Sequence, residues 1–183
     1  MKTMKAKTLL ALLIYFTAAQ SIAWAGAQSI HLKAHGGKVF FADPEQGNWR
    51  SVYYSKGNSH HELFPKQRAY FDESLPSDFS KSSRYLKIHK IIRVSIEGDA
   101  MGNDCERAYC AFVEMASGCI VRQETGSFCG GQWADTDDQW LWAGEEIVVD
   151  QRDPNNMSNS SIVEELVEIN GDVNLPLCRP TNP

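Results

Sequence analysis

The chain has 183 residues, a formal charge of -5 at neutral pH and 22% charged residues. That length suits a single core-forming domain better than an array of several. Its 18 basic residues are spread singly, so the concentrated positive charge that nucleic acid or an anionic membrane surface requires is missing from the sequence.

Lys2, Lys5 and Lys7 open the chain, and an apolar run from Thr8 to Ala19 follows. Small residues in the A-x-A arrangement come next, at Ala23-Trp24-Ala25 and Ala25-Gly26-Ala27. A positive end, a short apolar core and a small-residue cleavage point are the physical parts of a secretory signal peptide. The run is shorter than the roughly 20 residues a bilayer-spanning helix needs. The expected organisation is a cleaved leader over 1–27 and one exported domain over 28–183, periplasmic or secreted, with no membrane span.

Within 28–183, Ile30, Leu32 and Ala34 alternate with His31, Lys33 and His35, then Gly36-Gly37 offers a turn before Val39 to Phe41. This predicts a first strand pair or one long bent strand over Ser29 to Phe41. Asp43-Pro44 through Gly47-Asn48 reads as a turn region and Trp49 to Ser55 as a strand. Gly57 to Ser83 is polar but holds Leu63, Phe64, Tyr70, Phe71, Leu75 and Phe79, which predicts a packed loop with a short helix near Pro65 to Phe71. Tyr85 to Glu97 is the clearest strand, with an apparent change of phase at Lys90-Ile91 that suggests a bulge or a slight bend. After a turn over Gly98 to Asn103, Glu106 to Ser117 fits both helical and strand periods and is assigned to strand. Ile120 to Ser127 reads as a hairpin or its edge and Glu146 to Asp150 as a strand. Ser161 to Asn170 fits either a short helix capped by Ser160 or Ser161, with Ile162, Leu166 and Ile169 on one face, or a strand through Ile162, Glu164 and Leu166. Gln151 to Ser161 is a polar loop carrying two N-glycosylation patterns, Asn156-Met157-Ser158 and Asn159-Ser160-Ser161. The fold class expected is mainly β, a small β-sandwich or barrel-like antiparallel sheet with one or two short helices, with α+β as the alternative.

Five cysteines follow the leader: Cys105, Cys110, Cys119, Cys129 and Cys178. No C-x-x-C pair is present, so disulfides rather than a structural zinc site are expected, with one thiol left over. A Cys119–Cys129 link would staple a hairpin, and Cys178 would then tie the tail to Cys105 or Cys110.

The segment Gly130 to Gly144 mixes Trp133, Trp140 and Trp142 with Asp135, Asp137 and Asp138. Trp140 and Trp142 share a face in a strand, and such a face can serve a partner protein or an ordinary core. These six residues are the expected binding set. His60-His61-Glu62 is a weak metal candidate, because adjacent strand residues point to opposite faces and the H-E-x-x-H spacing is missing. Cys129, beside Gly130-Gly131, is a weaker nucleophile candidate still. The favoured function is an exported protein-binding module, such as an inhibitor or immunity-type partner of a toxic or lytic enzyme, engaging another exported protein and using no cofactor. A metal-assisted hydrolase built on His60, His61 and an aspartate is one alternative. The other is a structural or surface-assembly subunit, as a homodimer through the odd cysteine.

Overall fold

The computed structural model describes residues 30–65, 67–95, 104–150, 152 and 160–179. The leader and its cleavage point, the turn expected over Gly98 to Asn103 and both glycosylation patterns' asparagines lie outside the described residues.

Four antiparallel strands come first: β1 (His31–Ala34), β2 (Gly37–Glu45), β3 (Asn48–Lys56) and β4 (Ser59–Glu62). β5 (Ala69–Phe71) pairs with β3 at Trp49 and passes the sheet on to β6 (Tyr85–Ser95), β7 (Asp104–Glu114) and β8 (Ile120–Thr125). The order is β1-β2-β3-β5-β6-β7-β8, with β4 alongside β3. A second sheet holds β9 (Gln132–Trp133), β10 (Gln139–Trp142) and β11 (Glu145–Val148), with β10 central. One helix, α1 (Ser160–Asn174), runs into a 3-10 turn at Leu175–Cys178. The protein is mainly β, as the sequence predicts, and the large sheet is not a closed barrel.

Residue pairs with positive φ make three of the hairpins: His35-Gly36, Gln46-Gly47 and Ala143-Gly144. Positive φ at both turn residues matches the right-handed twist of the flanking strands. The first turn is thus one residue earlier than Gly36-Gly37, and β2 runs through Asp43 and Pro44 to Glu45. Gly37 is free to begin a strand because its missing side chain admits the Met115 carbonyl and the Tyr54 ring. The Tyr54 hydroxyl donates to that same carbonyl at 3.1 Å, so the large sheet curls until the β2–β3 end meets the turn after β7.

The first core fills the inside of this curl. Register places Leu32 beside Val39 and Val39 beside Tyr54, while Leu86 faces Val113 and Ile88 faces Ala111. The second core lies on the other side of β6–β8, under the small sheet and α1, and contains Tyr85, Phe112, Val121, Phe128, Trp140 and Leu166. Residues 110–115 of and just after β7 are all buried, because both faces of the strand are covered. A strand covered twice loses its alternation, which is why Glu106 to Ser117 fits two periods.

Further sequence expectations need correction. Among the described residues no helix forms near Pro65 to Phe71; β5 is there, and the helical turn of this stretch is Pro76–Asp78. Nor is there a bulge at Lys90. The β6–β7 register is unbroken from Tyr85 opposite Glu114 to Ser95 opposite Asp104, and the irregularity lies at Phe112/Val113 against β8. Leu86, Ile88, Lys90 and Ile92 keep one phase, and the lysine itself takes a buried position at 1% exposure.

Lys90 is held by the side-chain carbonyls of Gln67, at 2.8 Å, and Gln123, between the rings of Phe64 and Tyr109. Burial pushes its ammonium down to about 8 from 10.5. Between those values the unfolded chain holds the extra proton, so stability should rise with pH across this window. The urea midpoint of the wild type is expected to increase from pH 8 to pH 10, and that increase should be missing in Lys90→Met. Equal pH profiles would show that the buried ammonium is not desolvated as described.

The disulfides join Cys110 to Cys129 and Cys119 to Cys178, with Cα separations of 5.4 and 4.8 Å, and leave Cys105 free and exposed. The hairpin staple Cys119–Cys129 does not form, and neither link from Cys178 to Cys105 or Cys110 does. Cys119 precedes β8 and Cys129 follows it, so six extended residues, about 20 Å of chain, separate them. A disulfide needs its Cα atoms within about 7 Å.

Candidate functional site

Alternation that sends Leu32, Val39, Val52 and Tyr54 inward must send their neighbours outward. Cross-strand register then assembles two rows on the solvent face of β1–β4. One row is His31, Phe40, Tyr53 and Glu62; the next is Lys33, Lys38, Ser55 and His60. The rings of the first row are in contact: His31 to Phe40 at 5.7 Å between centroids and Phe40 to Tyr53 at 5.2 Å. His60 reaches across from the second row, 5.0 Å from Tyr53 and 5.1 Å from Phe40. Four ring side chains thus form one half-exposed platform on an antiparallel sheet, where polar residues are the usual covering.

The platform is edged by positive charge. Lys33 sits directly opposite Lys38, whose Nζ lies 5.2 Å from the Phe40 ring centre. Like charges in that position cost stability. Neither lysine forms an ion pair among the described residues. Desolvation, with Lys38 and Lys33 adding to it, holds the His31 imidazole below its usual value and keeps the ring neutral near pH 7.

The residues singled out from sequence fall elsewhere. Trp140 is fully buried and gives its indole N–H to the Phe128 carbonyl at 2.9 Å. Trp133 stacks on Tyr85 and donates to the Asp78 carbonyl at 2.8 Å; Trp142 leans on Phe128. All three pack in the second core, since a three-stranded sheet must bury one face and these are its largest apolar side chains. Asp138 is fixed in place, accepting from the Ser82 amide and hydroxyl at 2.9 and 2.5 Å. Burial would raise its carboxyl, but those bonds win and hold it below the usual range. Asp135 and Asp137 are exposed.

His60 and His61 project from opposite faces of β4, opposite Ser55 and Tyr54 respectively. Among the described residues no three His, Cys, Asp or Glu side chains gather as metal ligands. Cys129 is in a disulfide and offers no nucleophile.

A second polar constellation lies between the end of β3, the turn after β7 and the tail. Arg152, only 8% exposed, bonds Asp150 through Nε and Nη2 at 2.9 and 2.7 Å and reaches Glu114 at 2.7 Å. Arg84 approaches Glu114 at 3.0 Å from the other side, and Tyr85 donates to Asp150 at 2.9 Å. Burial would raise both carboxyls, yet the arginines, helped by Ser117 at Glu114 and Tyr85 at Asp150, hold both below their ordinary values.

Phe40 and Tyr53 were not singled out from sequence as binding residues. The signal for them was available: with Val39 and Phe41 inward, Phe40 has to face water. Comparison with protein-family models, curated proteins and solved structures gives no match for this chain.

Proposed function

We propose that the protein is an exported, non-enzymatic binding module whose β1–β4 face docks an acidic surface of another exported protein, in the manner of an inhibitor or immunity-type partner. The observation carrying this reading is the ring platform beside an unneutralised lysine pair. An aromatic on the solvent side of a sheet and like charges placed opposite each other are both local costs, and such costs concentrate at functional sites. Rings with few rotamers make good hot spots, and the lysines select a partner of opposite sign. Two disulfides fit an oxidising compartment. Among the described residues no helix is long and apolar enough to cross a membrane.

Wild type and Phe40→Ser/Tyr53→Ser should be compared as baits against the extracytoplasmic fraction. The expected result is an acidic protein retained stoichiometrically by the wild type, bound at least about 30-fold more weakly by the variant, and weakened again by Lys33→Glu/Lys38→Glu. Both variants should stay folded, the ring variant with a midpoint lowered by no more than the loss of its cross-strand ring contacts. Equal retention by all three baits would defeat the proposal. Running the same samples without reductant tests the second reading, a disulfide-linked assembly, which the exposed Cys105 favours.

A further inference from the structure

We propose that the cavity bounded by the end of β3, the turn after β7 and the tail beyond Cys178 is a binding site for a small oxyanion, a phosphate-like or carboxylate group. Its volume is about 230 Å3, the size of a small polar ligand or one headgroup rather than of a large apolar molecule. Four cationic side chains, Lys56, Arg84, Arg152 and Arg179, line it together with two carboxylates, Glu114 and Asp150.

The two carboxylates are already committed. Glu114 takes Arg84 on one oxygen and Arg152 on the other, and Asp150 takes Arg152 on both. Those contacts leave two positive charges over. Lys56 gives its ammonium to the Ala116 carbonyl at 2.7 Å, and neither it nor Arg179 meets a carboxylate within ion-pair distance among the described residues. In a chain of net charge -5, a concave site with surplus cations is a local inversion of sign. Arg84 adds a half-exposed guanidinium whose position is fixed by Glu114. A guanidinium already oriented loses little freedom when it binds an oxyanion, and its planar fork matches carboxylate and phosphate geometry. The buried Arg152 pair of bonds is the rigid floor, and Lys56 and Arg179 are the variable rim.

The test uses the whole protein and inorganic phosphate, with sulfate and acetate as further arms, at ionic strength held constant with chloride. Phosphate should bind saturably and raise the unfolding midpoint, and Lys56→Gln/Arg179→Gln should weaken binding by about tenfold or more. Among the described residues neither side chain forms an ion pair with Glu114 or Asp150, so the variant should fold, losing no more than the exposed Lys56–Ala116 hydrogen bond in chloride. A response to phosphate and sulfate without acetate assigns a tetrahedral anion; a response led by acetate assigns a carboxylate. Amide NMR shifts on the wild type give a reading that needs no variant, and should cluster at residues 114–119. No saturable response to any of the three above chloride, an undiminished response in the double variant, or shifts scattered over the surface would overturn the proposal. None of these outcomes depends on the β1–β4 face.

Discussion

Replacing Cys119 and Cys178 together by Ala should lower the free energy of unfolding by about 4 kcal/mol, more than the loss of the other disulfide. The Cys119–Cys178 link closes 59 residues of chain, while Cys110–Cys129 closes 19, for which the same chain-entropy reasoning gives about 3 kcal/mol. The larger loop contains β8, the whole small sheet and α1, so cutting it frees most of the second core in the unfolded ensemble at once. Cys119 and Cys178 are also fully buried, and removing their sulfurs leaves unfilled space beside Val121 and Leu166. Urea unfolding of the two double variants gives the comparison. A smaller loss for the Cys119/Cys178 variant than for the Cys110/Cys129 variant would mean that the tail does not hold the second core together.

Arg152→Ala should cost about 3 kcal/mol at neutral pH, because it takes the bidentate partner from the partly buried Asp150 and leaves Glu114 with Arg84 and Ser117 alone. Lysine should rescue little of this, since one ammonium cannot reproduce the bidentate bonds to Asp150 and the contact to Glu114. The acid limb provides the check. Glu114 and Asp150 both have folded-state values below the ordinary carboxylate range. Their contribution is therefore complete above the unfolded values, near pH 4, and is lost as pH falls through the folded ones. The gap between wild type and Arg152→Ala should be widest at neutral pH and should narrow as pH drops below about 4. A gap that stays constant to pH 2 would show that the carboxylates carry none of the effect.

Much of the strand content was legible because alternation survives wherever one face is wet, as along β2 and β3. It failed where the fold departs from that condition. β7 is buried on both sides from Cys110 onward, so its apolar run has no period. In β6 a lysine occupies a core position, and reading Lys90 as a solvent residue splits one phase into two. The cysteine pairing depends on which strand ends meet in space, and spacing along the chain carries no such information. The same limit applies to the candidate sites. The ring platform is implied by the phase of β1–β4 once the turns are placed, whereas the arginine cavity joins residues from position 56 to position 179 and exists only in the folded chain. Two tryptophans at strand spacing suit a core as well as a partner, and sequence alone does not say that Trp140 is buried with Trp133 and Trp142 packed beside it.

Two asparagines of α1 occupy places where a further strand would dock. Asn170 accepts from the Ile120 amide and donates to the Ile120 carbonyl at 3.0 and 2.9 Å, as a paired peptide would. Four residues on, past the break in the helix at Gly171 (φ 64°), Asn174 donates to the Glu62 carbonyl at 2.6 Å. The helix therefore bolts β8 to the end of β4 and occupies backbone groups that would otherwise template another copy's strand. Since α1 comes after every strand from β1 to β11, a chain leaving a ribosome or translocon N-terminus first carries these edges bare until its last structured segment arrives. Truncation before residue 160 should therefore turn a self-contained sheet into a sticky one, and quality control of this protein amounts to a wait for its helix.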